Sequence, residues 1–454
     1  MRRFQGGAVN RAWERAGVVA AVVVLVALVA SGCSEKEKQA TAGSATTGSG
    51  TTDSGTTAKP AGNGSVVERF AGKTTTLGVI PAKRTKATGT PIAIGMINQE
   101  TGAAAVLPEL SIADKAGLRF INEELGGVDG HPITLELCDT KFSPEGSQRC
   151  AQQMVQNNVA AVMGGIDVFG DGIKILADNG IPFVGGIPVS FASAQSPNSF
   201  QFSGGSWGAF VSLAHYAAKN LHAKKISIMY SEFPPITDAA DMTKRALAKL
   251  GVTDVRLVPM PIVATDLTAP LTQANEGNPD AIIVGAADAG CVPALKGSVD
   301  LQIKAKLLFV GACAAPTILK TAGDAASEGK FFNVEIPIDT KAKGNDVPLY
   351  NAVIAKYGGG IDAQSAGTVS FEALMNLYVA MKEIGAAKVS PKTITDQLRA
   401  ARDHPTFMGH PYTCDGKQIP TLPALCAPQG VIGERVGSEL LQRTGWIDVP
   451  ALVK

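Results

Sequence analysis

From residue 91 onward the chain alternates short apolar runs with longer amphipathic stretches, the pattern of a parallel sheet flanked by helices. Strands are expected at 92–97, 133–138, 160–164 and 182–185, with helices at 107–125, 144–157 and 172–179 between them. The first helix sets Ile112, Ala116, Leu118, Phe120, Ile121 and Leu125 mostly on one stripe, and Gly126-Gly127 stops it. A second series of similar size follows. It has a helix at 207–221, strands at 226–230, 255–258, 281–285 and 307–310, and helices at 238–250, 267–276 and 292–299. Two consecutive β/α series imply an α/β fold of two lobes, each with a mainly parallel, doubly wound sheet.

The run 331–337 reads as a strand crossing between lobes, and helices at 348–357, 368–384 and 391–402, which no strand separates, return to the first lobe. Cys414 and Cys426 bracket a Pro-rich irregular loop before short strands at 431–436 and 440–444. The expected division is 91–205 with 338–428 for lobe 1, and 206–337 with 429–454 for lobe 2. Together these are more residues than one core usually supports.

Residues 1–32 follow another pattern. Arg2, Arg3, Arg11 and Arg15 precede an apolar run at 18–30 that ends in Ala30-Ser31-Gly32-Cys33, the order of an export signal with a small-residue cleavage site. The run is roughly 13 residues long, against about 20 for a permanent membrane span, so removal is expected. A Cys placed directly after small residues resembles a bacterial lipobox, in which the thiol is acylated and becomes the new N-terminus. Cys33 is therefore the expected lipidation site, and the expected location is the extracytoplasmic face of the cell membrane. Residues 33–90 are rich in Thr, Gly, Ser and Ala and read as a flexible polar linker. Such a chain would span about 40 Å r.m.s.. The apolar stretches 66–70 and 76–80 are where it would pack locally.

The formal net charge of +1 leaves no electrostatic footprint for nucleic acid. Setting Cys33 aside leaves six of the seven cysteines in three close pairs: Cys138 with Cys150, Cys291 with Cys313, and Cys414 with Cys426. In an oxidising compartment these spacings suit local disulfides, although spacing alone does not fix connectivity. His131, His215, His222, His404 and His410 show no ligand spacing, and neither a metal nor another cofactor is expected.

The stretch Ile94-Gly95-Met96-Ile97, the helix ending Asn122-Glu123-Glu124-Leu125-Gly126-Gly127-Val128-Asp129-Gly130, and Leu135-Glu136-Leu137-Cys138-Asp139 are similar to the opening of the type I periplasmic binding proteins. Within that group the resemblance is to the leucine/isoleucine/valine-binding receptors of ABC transporters. Ala161-Val162-Met163-Gly164-Gly165 and Gly180-Ile181-Pro182-Phe183-Val184 resemble the family's third and fourth strands.

The resemblance implies a Venus-flytrap fold whose lobes, joined by three crossing segments, close over a small solute and present it to a membrane permease. It implies a non-enzymatic receptor for a branched-chain amino acid or a related small carboxylate or amide. In relatives that bind an amino acid, backbone amides and hydroxyls after the third and fourth strands hold the carboxylate, and an acid of the second lobe holds the ammonium. The matching positions are Gly165, Ile166 and Asp167, then Gly186, Ile187 and Pro188, with Cys313 where the acid would stand. Asp167 and Asp288 are candidates to neutralise an ammonium, with helix capping as the alternative role. Gln99, just past the first strand, is a candidate at the cleft mouth.

Two other classes compete. Gly204-Gly205-Ser206-Trp207-Gly208 fits the Gly-x-Ser-x-Gly elbow of a serine hydrolase, for which His404 or His410 would have to serve as base. The split between the two β/α series at this point places Ser206 at the crossing instead, with its glycines serving the hinge. A ligand sensor of the same fold is the other alternative.

Overall fold

The computed structural model describes residues 64–334 and 344–454. The expected signal, Cys33, the linker up to residue 63 and the last part of the 331–337 strand lie outside them. Before the first lobe come α1 (Val66–Phe70), β1 (Thr74–Thr75) and β2 (Gly78–Val79). Lobe 1 then alternates β3 (Ile92–Asn98), α2 (Pro108–Glu123), β4 (Ile133–Asp139), α3 (Pro144–Gln156), β5 (Val162–Gly164), α4 (Asp171–Asp178), β6 (Phe183–Val184), α5 (Phe191–Gln195) and β7 (Ser199–Phe200). These strands form one parallel sheet in the order β4-β3-β5-β6-β7, with Ile97 level with Cys138 on one side and Gly164 on the other.

Lobe 2 runs through α6 (Gly205–Lys219), β8 (Lys225–Ser231), α7 (Pro234–Lys249), β9 (Asp254–Met260), α8 (Thr268–Asn275), β10 (Ala281–Gly285), α9 (Asp288–Asp300), β11 (Lys306–Phe309), α10 (Pro316–Ala322), α11 (Asp324–Ser327) and β12 (Phe331–Val334). The chain returns to lobe 1 for α12 (Asp346–Tyr357), α13 (Gly367–Ile384) and α14 (Pro391–Ala400). It finishes on lobe 2 with β13 (Val431–Val436), β14 (Glu439–Gln442) and α15 (Val449–Val453). The second sheet has the order β14-β13-β12-β11-β10-β8-β9, antiparallel only where β13 and β14 join its edge.

Central strands are apolar on both faces because helices cover both. On β10, Ala281 and Ile283 pack into one core while Ile282 and Val284 pack into the opposite one. α13 lies on α2, where a Cβ at Gly117 would collide with Leu374. Three disulfides link Cys138 to Cys150, Cys291 to Cys313 and Cys414 to Cys426, tying β4 to α3, the start of α9 to the turn after β11, and the two ends of the irregular loop.

The linker expected to reach residue 90 is shorter than its composition suggests. Val66, Val67, Phe70 and Ile80 are buried in the lobe 1 core. They are held there by the carboxylate of Glu124, which accepts hydrogen bonds from Ser65 Oγ (2.7 Å), Val67 N (2.9 Å), Lys356 Nζ (2.6 Å) and Tyr357 Oη (2.6 Å). Four buried apolar side chains outweigh a Thr/Gly-rich composition because each contributes about 1.5–3 kcal/mol. The short elements α5, β7, α10 and α11 were also unforeseen, being too brief to show a period.

Candidate functional site

The C-terminal ends of the strands in both sheets face one another across a cleft, the place where doubly wound sheets bind ligands. It encloses a cavity of about 230 Å³ with walls from both lobes. Leu107, Ile166, Val168, Ile187 and Val189 line it from lobe 1, and Phe233, Ile236, Ile262, Val310 and Leu440 from lobe 2. The segments returning to lobe 1 add Val347, Tyr350 and Val369 from α12 and α13, and Met408 from the irregular loop after α14. Against this apolar surface stand a few polar groups, chiefly Ser206, Ser231, Asn351, Gln364, Ser365 and Thr368.

The loops after β5 and β6 run extended, so successive side chains point to opposite sides. Ile166 and Val168 line the cavity and the Asp167 between them does not; Ile187 and Val189 line it and Pro188 does not. Asp167 is buried instead, accepting hydrogen bonds from Ser147 Oγ (2.5 Å) and Gly170 N (3.1 Å), and burial pushes its carboxyl above the usual range. It is a clamp between Ser147 of α3 and Gly170, which precedes α4. Gly165 and Gly186 sit behind the lining, where a Cβ would strike Asn98 and the Gly164–Gly165 backbone respectively. They allow the two loops to pack against each other.

The remaining candidates divide. Cys313 is fully buried in its disulfide, and its neighbours Ala312 and Ala314 line the cavity in its place. Gln99 is also fully buried: its Nε2 donates to the carbonyls of Ala104 and Ala105, which shapes the loop that faces the cleft. Asp288, at the start of α9, is in the lining. Its carboxylate reaches across to lobe 1 and accepts from Ala105 N (2.5 Å) and Val106 N (3.4 Å). Ala105 adopts φ +54°, a left-handed conformation that few non-glycine residues take. Phe233 of lobe 2 also meets Phe169 of lobe 1 edge-to-face, with ring centroids 6.0 Å apart. Asp288 and Phe233 thus hold the lobes together at the cleft.

Ser206 lines the cavity from the first turn of α6, and its amide donates to Pro188 O (3.3 Å). Among the described residues no histidine lines the cavity. His404 contacts Glu383 Oε1 (3.2 Å), and His410 packs on Trp446. The glycines of the elbow serve packing at the crossing: a Cβ at Gly205 would strike the Pro188 carbonyl, and one at Gly204 or Gly208 would lie 2.8 Å from Pro428 O on the returning segment. Alongside, Gln201 N donates to Ala424 O (2.9 Å) and Cys426 N to Gln201 O (2.8 Å), so two crossing segments are hydrogen-bonded to each other.

Sequence reasoning missed the contribution of 347–369. Helices returning to lobe 1 read as cover for the sheet, yet Tyr350 and Ser365 face the cavity.

The profile of the periplasmic binding protein family matches residues 91–421. A curated relative, Leu/Ile/Val-binding protein homolog 3 of Brucella melitensis, is 23% identical over 202 residues, 43% of this chain and 54% of the relative, so the chain spans about half of that relative's length. Among solved structures, the branched-chain amino acid transporter substrate-binding protein of Streptococcus pneumoniae, in complex with isoleucine, superposes with a TM-score of 0.62 at 16% identity. The match covers 79% of this chain and 100% of that one. A solute-binding protein of an ABC transporter from Rhodopseudomonas palustris, in complex with p-hydroxybenzoic acid, gives a TM-score of 0.64 at 19% identity, covering 78% and 96%. At these identities the likeness establishes the fold.

Proposed function

Because this chain belongs to the periplasmic binding protein family, we propose that it is an extracytoplasmic receptor, lipid-anchored through Cys33, that delivers a small, mainly apolar solute to the permease of an ABC importer. The observation that carries this reading is the apolar cavity shared between two lobes and bridged by Asp288. A volume of about 230 Å³ suits a ligand smaller than those of drug-sized pockets, which start at roughly 300 Å³. The isoleucine and p-hydroxybenzoic acid held by proteins of the same fold are of the branched-chain and aromatic kinds that such walls accommodate. Either class buries apolar surface on closure, which drives binding without strong polar contacts.

Thermal-shift screening of the mature domain against branched-chain and aromatic acids, amides and alcohols tests the receptor. A ligand at about 100 times its Kd should stabilise the protein by roughly 2.7 kcal/mol. If sugars or polyamines shift the melt and no apolar solute does, the substrate class is wrong. For the anchor, Cys33→Ser should move the protein from the membrane pellet to the soluble fraction; unchanged partitioning would refute lipidation at that thiol.

A further inference from the structure

The solute's polar group has to find a partner in the cleft, and the walls restrict what that group is. Two of the loop amides that a carboxylate could use are already engaged, Ile166 N by Asn98 Oδ1 (3.0 Å) and Ile187 N by Gly165 O (2.9 Å). First-turn amides of α6 and α13 at the cavity are engaged too. In α6, Gly205 N donates to Ser203 Oγ (3.0 Å) and Ser206 N to Pro188 O; in α13, Thr368 N donates to Ser365 O (3.2 Å) and Val369 N to Ala366 O (3.0 Å). Among the described residues no lysine, arginine or histidine lines the cavity, and the one acid that does, Asp288, is the interlobe bridge. A carboxylate bound here would meet a like charge with no counter-ion, in a medium where unpaired charge is heavily penalised.

Two buried lining hydroxyls have no partner among the described residues. Tyr350 Oη and Ser365 Oγ are both buried, on residues 1% and 8% exposed, and neither makes a hydrogen bond. A buried hydroxyl left unpaired is costly, and each can both donate and accept. Burial also raises the Tyr350 phenol above its usual range, so it stays protonated at neutral pH.

We propose that Tyr350 and Ser365 form the polar pole of the site and that they select a solute whose head group is a neutral carboxamide or hydroxyl on an apolar body. This rests on the solute-receptor reading and narrows it. Titration calorimetry at neutral pH on the mature domain, with 4-methylpentanamide, 4-methylpentanoate and 4-methylpentylamine, and with benzamide, benzoate and benzylamine, separates the possibilities. In at least one set the amide should bind about tenfold or more tighter than its charged counterparts. Tyr350→Phe and Ser365→Ala should each weaken that amide by about five- to tenfold, with circular dichroism confirming the fold. A carboxylate or amine binding as tightly as its amide, or both variants binding the amide as the native chain does, overturns this inference and leaves the receptor reading standing. Silence from all six compounds overturns both.

Discussion

Replacing Asp288 by alanine isolates the energy that holds the lobes closed. Its carboxylate accepts a 2.5 Å bond from Ala105 N and a longer 3.4 Å one from Val106 N. Hydrogen bonds to a charged acceptor are each worth roughly 1.5–3 kcal/mol, and the long one contributes least, so the pair stabilises closure by about 2–3 kcal/mol. The left-handed conformation at Ala105 opposes it by roughly 1–2 kcal/mol, which favours relaxation of the loop once the acceptor is gone. With relaxation recovering about 1 kcal/mol of that strain, the net loss is about 1–2 kcal/mol, so Asp288→Ala should shift the open–closed equilibrium by about 5- to 30-fold toward open, and raise the apparent Kd by up to that factor when only the closed form binds. Asp288→Asn, which keeps one acceptor oxygen without the charge, should fall between. Small-angle scattering reports the open fraction and calorimetry the affinity. If the alanine variant keeps both the native scattering profile and a Kd within twofold of the native value, Asp288 is an ordinary cleft residue and closure is held elsewhere.

Three further outcomes are expected. Burial raises the Glu124 carboxyl, but the bonds from Lys356, Tyr357, Val67 N and Ser65 outweigh it and bring it down to about 2 from an ordinary 4.5. The stability this contributes, roughly 3 kcal/mol, is present above pH 4.5 and lost as the pH falls toward 2. Acid melts of Glu124→Gln should show a smaller loss over that window, and proteolysis of the variant should cut near residue 64 sooner; an unchanged acid profile would refute the assignment. Intact mass without reductant should show six thiols missing from the mature body. Cys291→Ser with Cys313→Ser should cost about 3 kcal/mol by chemical denaturation, and a loss below about 0.5 kcal/mol would argue against a structural role. A fluorophosphonate should leave Ser206 unlabelled, and stoichiometric labelling abolished in Ser206→Ala would make the chain a hydrolase.

The architecture was legible where burial is two-sided and long. The runs at 92–97 and 281–285 have no polar face, a pattern that only a covered central strand explains, and the structure places them in β3 and β10. The loops after β5 and β6 were rightly singled out, but Asp167 and Pro188 were chosen beside the residues that line the cavity, and Cys313 was chosen between Ala312 and Ala314. Chemical appeal favoured Asp and Cys, whereas geometry favoured the apolar neighbours. Alternation along extended backbone would have paired Ile166 with Val168 and Ile187 with Val189, but the phase of that alternation is set by how each loop leaves its sheet. Tyr350 and Ser365 were out of reach for another reason: they belong to a segment roughly 160 to 200 residues from those loops in sequence, which only the return of the chain to lobe 1 brings to the cleft.

The clasp at Glu124 bears on how the molecule would carry load. A pull on the N-terminal segment passes through Val66, Val67 and Phe70 into α2 and α12, and so into lobe 1 alone. Held from that end, one jaw becomes the fixed mount and the other the moving arm. A force applied there would neither strain the crossing segments nor work against the bridge at Asp288.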